Sequence, residues 1–140
     1  MTTIAPPRPT ELPGLPVRLT AGPATLAEAR RQVRAALDLW RAPVDPDVAV
    51  LLTSDLVTNA IRHQPGGTIT LGVRCVAGQL RVDVHGSAIG PDLILVQTLS
   101  DEWGCYPTPA GQAVYFTLAF QADVVEGNGR GPQGANAWGL

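Results

Sequence analysis

Residues 46–63 read PDVAVLLTSDLVTNAIRH, a segment of helix length with apolar residues on more than one side. Val50, Val57 and Ile61 form one apolar face, and Val48, Leu51, Leu52 and Leu56 form another. A helix with two apolar faces needs two neighbours, which favours a layered fold over an isolated surface helix. One side suits a sheet. The other carries Asp55 and Asn59, four residues apart and therefore one above the other. A carboxylate and a carboxamide within an apolar stripe cost free energy unless they are hydrogen-bonded. Two readings are open. Both groups are capped or water-bonded beside a groove, or the face lines a pocket in which the Asn59 oxygen meets a hard cation and Asp55 takes a proton.

Bulk properties narrow the function classes. At 140 residues the chain suits one domain with a moderate core. A net charge of -2 argues against a nucleic-acid binder that works by neutralising phosphates. All 10 basic residues are Arg, which excludes a Schiff-base or P-loop lysine. Cys75 and Cys105 fall at strand or strand-edge positions and are expected to be reduced core residues. No stretch approaches a membrane span and no signal-peptide pattern opens the chain, so a cytoplasmic protein is expected.

The remaining elements follow from periodicity and punctuation. Residues 1–16 contain Pro6, Pro7, Pro9, Pro13 and Pro16 and are expected to form a flexible or extended arm. Val17, Leu19 and Ala21 alternate with polar residues as a short strand. A first helix follows, with Thr25 and Glu28 as a capping box and a buried stripe of Leu26, Ala29, Val33, Leu37 and Trp40. Arg30, Arg31, Arg34 and Arg41 lie away from that stripe, as a solvated face or one for an acidic partner. Asp45 caps the second helix, Pro46 occupies its first turn, and Pro65-Gly66-Gly67 stop it. Two alternating strands, 68–76 and 79–85, are joined at Ala77-Gly78 as a tight hairpin. A third helix is expected at about 91–103 and a last strand at 113–120. From about residue 124 the chain is Gly-rich and is expected to be disordered. The order β-α-α-β-β-α-β predicts an α+β fold, a two-layer sandwich with a mostly antiparallel sheet and helices on one face.

With these elements placed, the chain resembles the anti-sigma regulatory factors, the serine-protein-kinase branch of the GHKL, or histidine kinase-like, ATPases. The resemblance covers about residues 17–120. It is carried chiefly by SDLVTNAIRH (54–63), similar to that family's N box, with ARRQVRAAL (29–37), DEWG (101–104) and GQAVYFTL (111–118) in the matching order. It implies a Bergerat sandwich over 17–123 that binds Mg-ATP beneath a mobile lid. Such a protein phosphorylates a serine on an anti-sigma factor antagonist and alternately captures a sigma factor. By resemblance, Asn59 stands as the magnesium ligand and Asp55 at the general-base position, where the family usually has Glu. Gly86 and Gly90 mark the nucleotide loop.

The departures point away from nucleotide chemistry. Gly86 stands where the family has an Asp that accepts from the adenine amine, and Ala113 stands where a Thr often assists. Asp83 lies three residues back, at odd parity, on the opposite face. Pro91 removes an N–H from the phosphate loop, and Asp92 is expected to stabilise the third helix's start while repelling a triphosphate. Only Ser87, Ala88 and Ile89 remain for the lid. His63 is expected to brace the helix end near the hairpin. A triad of Ser87, His85 and Asp83 lacks an oxyanion hole and a nucleophile elbow. Trp103 and Tyr115 are expected in the core or an interface. The expectation is a degenerate pseudokinase that regulates transcription by partner switching, with no cofactor. It would grip a sigma factor or an anti-sigma factor antagonist through a face bearing Arg30 and Arg34, with a homodimer possible and no direct nucleic acid or membrane contact. The alternative is an active ATP-dependent serine kinase using Mg-ATP, with Asn59 on the metal.

Overall fold

The computed structural model describes residues 17–64, 66–86, 90, 92–109 and 111–121. The expectations for the arm at 1–16, the tail beyond 124, Ser87 and Pro91 lie outside the described residues.

Strand β1 (Val17–Thr20) leads to helices α1 (Thr25–Trp40) and α2 (Pro46–His63). Strands β2 (Thr68–Val76) and β3 (Gln79–Gly86), helix α3 (Ile94–Leu99) and strands β4 (Glu102–Thr108) and β5 (Gly111–Ala119) follow. The fold is α+β, with a five-stranded antiparallel sheet in the order β1-β2-β3-β5-β4. The inward residues of the central strands, among them Ile69, Leu71, Val82, Val84 and Phe116, are fully buried with Val33, Leu52, Leu56 and Val96 from the three helices. All three helices therefore cover one face of the sheet.

Local chemistry sets most boundaries. The Asp45 side chain accepts hydrogen bonds from the N–H groups of Asp47 and Val48, and Pro46 opens α2 where no N–H is needed. Ala77 and Gly78 both have positive φ, 51° and 79°, so the turn between Val76 and Gln79 matches the right-handed strand twist. α1 begins differently from the expected capping box. Thr25 is already helical, and its Oγ1 donates to the Thr20 carbonyl while accepting from the Gly22 N–H at 2.9 Å. The hydroxyl ties the end of β1 to the helix, and Glu28 instead bonds Gln32 and Arg31.

Three further expectations are corrected. The third helix does not run from 91 to 103, because it occupies only Ile94–Leu99, and residues 102–108 form an edge strand. Gly104 and Pro107 resemble breakers, yet both suit this position. Pro107 lies on the outermost strand, where a missing N–H is tolerated. A Cβ on Gly104 would lie 2.9 Å from the Tyr115 ring, so the glycine makes room for that ring. Cys105 is exposed rather than core, and Cys75 is half-buried. Both are free thiols. Leu51, expected on a buried stripe, is 43% exposed, whereas Leu52 and Leu56 are buried.

Among the described residues no helix lies on the opposite sheet face, which polar groups seal. Asp83 is buried and accepts from Arg81 Nε at 2.9 Å and Nη2 at 3.0 Å and from the Tyr106 hydroxyl at 2.5 Å. Arg81 also stacks 3.9 Å from the Tyr115 ring centroid, and the Tyr115 hydroxyl reaches Glu102. The parity argument for Asp83 therefore matches the structure, since it faces away from Gly86 and the helices. Burial pushes the Tyr106 hydroxyl pKa up, and Asp83 beside it adds to that. Tyr106→Phe removes a donor from a buried carboxylate and is expected to lower stability by about 1.5 kcal/mol. Urea unfolding monitored by circular dichroism measures this, and an unchanged midpoint would show that Arg81 alone satisfies Asp83.

Candidate functional site

α2 carries the polar pair that the sequence singles out, and both side chains point toward the segment that opens α3. Asn59, only 2% exposed, is enclosed by that segment. The Gly90 N–H donates to Asn59 Oδ1 at 3.0 Å. Asn59 Nδ2 donates to the Gly90 carbonyl at 3.3 Å and to Asp92 Oδ1 at 2.8 Å. The oxygen assigned to a metal by resemblance thus already accepts a backbone hydrogen bond.

Asp55 has a structural partner as well. Its Oδ2 accepts from the Val96 N–H at 3.0 Å. Val96 is the third residue of α3, and the residue before that helix, Leu93, makes no side-chain cap bond. Asp55 therefore caps α3 from another helix, satisfying an N–H that would otherwise lack a partner.

Asp92 is not the cap expected of it. Its carboxylate turns back to the C-terminal end of α2, where it pairs with Arg62 and lies 3.5 Å from His63 Nε2. His63 consequently braces the helix end against Gly90 and Asp92 rather than against the hairpin. A Cβ at Gly90 would collide with the His63 ring, so only glycine admits this approach. The Asp92 backbone N–H, and then Arg62 and His63, hold the Asp92 carboxyl below its usual range against an opposing effect of desolvation.

Gly86 is buried on the helix side of β3, and a Cβ there would lie 2.8 Å from Gln64 Oε1. Gln64 also donates from Nε2 to the Thr68 carbonyl at 3.2 Å. Gln64, which the sequence reading passed over, thus fills space beside Gly86. Its place directly after α2, five residues from Asn59, was the available signal. Ala113 is fully buried and pairs with His85, on the face opposite the helices.

Asp55, Asn59 and Gly90 are therefore brought together, and Gly86 lies beside Gln64 at the end of α2. Arg30 and Arg34 belong to a different face. Arg30 Nε donates to Ser54 Oγ at 2.9 Å, and Arg34 is 3.5 Å from Asp47. These contacts join α1 to α2 while leaving both arginines exposed. Asp83 and His85, from the discounted triad, are bridged by Tyr106, whose hydroxyl is 3.5 Å from His85 Nε2. Among the described residues, no group of three or more His, Cys, Asp or Glu side chains converges as metal ligands. No described helix is long and apolar enough to cross a membrane.

In comparisons with known proteins, the chain matches no family model and no curated sequence.

Two outcomes test this geometry. Asp55→Ala is expected to cost about 1 kcal/mol by uncapping α3, whereas Asp55→Asn, which keeps an acceptor oxygen, retains most of that stability. Urea titrations of both variants make the comparison, and equal losses would refute the cap. Asp92 has a depressed pKa, so its contribution is present above the usual carboxylate range and is lost as pH falls through the folded value. The stability difference between the parent and Asp92→Asn is therefore expected to be present above the usual carboxylate range and to vanish in acid. Melting temperatures from neutral pH to pH below about 3 would show it, and a difference that persists in acid would contradict it.

Proposed function

We propose that this protein is a transcriptional regulator that acts by binding other proteins, built on a histidine kinase-like ATPase scaffold whose nucleotide site is closed by its own residues. The observation that carries the reading is the Asn59 amide. Its oxygen and nitrogen are both engaged by residues 90 and 92, within the motif that gives the chain its family resemblance. Asp55 is engaged by α3, and Gln64 crowds Gly86. Binding Mg-ATP in the family manner would require breaking these contacts and bringing a triphosphate beside Asp92. Both steps oppose affinity, the first by leaving buried polar groups unpaired and the second by charge repulsion.

What remains for function is surface. In the cytoplasm, the partner would be a sigma factor or an anti-sigma factor antagonist, with self-pairing as an added possibility. Arg30 and Arg34 are exposed on α1 and suit an acidic partner, whose electrostatics would set association rate and choice more than affinity.

Calorimetry with Mg-ATP is the deciding measurement. No saturable heat at submillimolar concentration is expected, and Gly86→Asp is expected to restore none, because the new side chain meets Gln64. Micromolar affinity in the unchanged protein would favour the kinase reading. Partner capture is expected in nucleotide-free buffer and to weaken on charge reversal at Arg30 and Arg34; capture that strictly required ATP would count against the proposal.

A further inference from the structure

The sheet face opposite the helices is uneven in charge. Register fixes which side chains share it. Arg18 on β1 pairs with Thr70 on β2. Two residues further along β2, Gly72 pairs with Asp83, and two beyond that, Arg74 pairs with Arg81. Side chains directly across a pair share a face. Arg18, Gly72 and Arg74 therefore lie on the Asp83 side, away from the core. Asp83 is buried, and its two oxygens are taken by Arg81 and Tyr106. Arg18 and Arg74 are exposed and, among the described residues, meet no carboxylate. Arg74 also stands directly opposite a second guanidinium, an arrangement that costs stability unless an anion joins it. A Cβ on Gly72 would meet no atom within 4 Å, so open space lies over the strand between the two arginines.

We propose that Arg18, Gly72 and Arg74 form a docking surface for an acidic segment of a partner protein, laid along β2. At roughly 3.4 Å per residue, the four steps from Thr70 to Arg74 set the two arginine positions about 14 Å apart. An extended segment with carboxylates at i and i+4 matches that spacing, and its residue i+2 comes over Gly72. Charge decides the occupant. The chain has a net charge of -2, yet this part of its surface is cationic. From its own sheet face a second copy offers, among the described residues, Asp83, which is already satisfied, and Glu102, which accepts from the Tyr115 hydroxyl at 3.3 Å. A foreign carboxylate pair fits better than self-pairing. The arginines of α1 lie with that helix on the other side of the sheet, so this surface is distinct from theirs.

The probe is the fluorescein-labelled peptide (Glu-Thr)4, which carries a carboxylate at every second residue. Binding is followed by fluorescence anisotropy in low-salt buffer, where screening is weakest. The parent protein is expected to bind it, and Arg18→Glu and Arg74→Glu are each expected to weaken binding by about fivefold. Gly72→Tyr is expected to do the same while leaving every charge in place, because the ring fills the space over β2. Gly72→Leu and Arg74→Gln serve as second variants if the first do not fold, as judged by circular dichroism. Arg41→Glu, an equal charge change just after α1, is expected to leave the affinity unchanged. No binding by the parent, a folded Gly72 variant that binds as the parent does, or an equal loss in Arg41→Glu would each overturn the proposal. Phosphatidylserine vesicles and light scattering test the other occupants. Binding of vesicles without binding of peptide, or a parent dimer that Arg74→Glu dissolves, would overturn it as well. The inference rests on the reading above in taking the partner to be a protein. Mg-ATP binding by the unchanged protein would sink that reading and leave the losses at Arg18 and Arg74 in place, whereas variants that bind as the parent does would sink this surface alone.

Discussion

The buried side chain of Asn59 is the interaction on which the site geometry depends. An amide in an apolar layer must find partners for an acceptor and two donors, or the layer loses stability. It finds them in a segment 31 to 33 residues downstream, through the backbone of Gly90 and the carboxylate of Asp92. That pairing holds the chain leaving β3 against α2. It also positions α3 so that Val96 reaches Asp55 and packs into the core. The short third helix has six residues and no N-terminal side-chain cap of its own. A helix of that length is marginal in isolation. Its stability is borrowed from α2, which supplies both the cap and the apolar contact.

The two faces of the sheet solve different problems. The helix side is apolar, with Phe116, Leu71 and Val82 fully buried. Among the described residues no layer covers the other side. It protects its backbone with long polar side chains that lie flat: Arg81 across Tyr115, Tyr106 down to Asp83, and Tyr115 over Gly104. Asp83 is tolerated there because a bidentate guanidinium and a hydroxyl satisfy it.

Legibility in the sequence followed the range of the contacts. α2, its Asp45 cap, the paired strands and the Ala77-Gly78 turn could be read because each is fixed by residues within a few positions of one another. The direction in which Asp55 and Asn59 point could also be read, since helical periodicity fixes it. β4 could not. Its Gly104 and Pro107 mean "breaker" locally and acquire another meaning only from position at the sheet edge and from Tyr115 across the pair. Asp92 failed for the same reason. A carboxylate just before a helix reads as its cap, and only the fold shows that Asn59, Arg62 and His63 reach it first.

Persistence of Asn59 and Asp55 does not by itself argue for nucleotide chemistry. Replacing either with an apolar residue would leave a backbone N–H of the segment that opens α3 without its partner, that of Gly90 in one case and Val96 in the other. Such a loss costs about 1–3 kcal/mol for a buried group, a large share of a small domain's total stability. Folding alone can therefore retain an Asp and an Asn at this spacing, whether or not any phosphate ever reaches them. A motif inferred from spacing becomes informative about chemistry only when its polar atoms have capacity left over. In Asn59 the oxygen and the nitrogen are both engaged by the segment that opens α3, so its spacing from Asp55 has a structural explanation complete in itself.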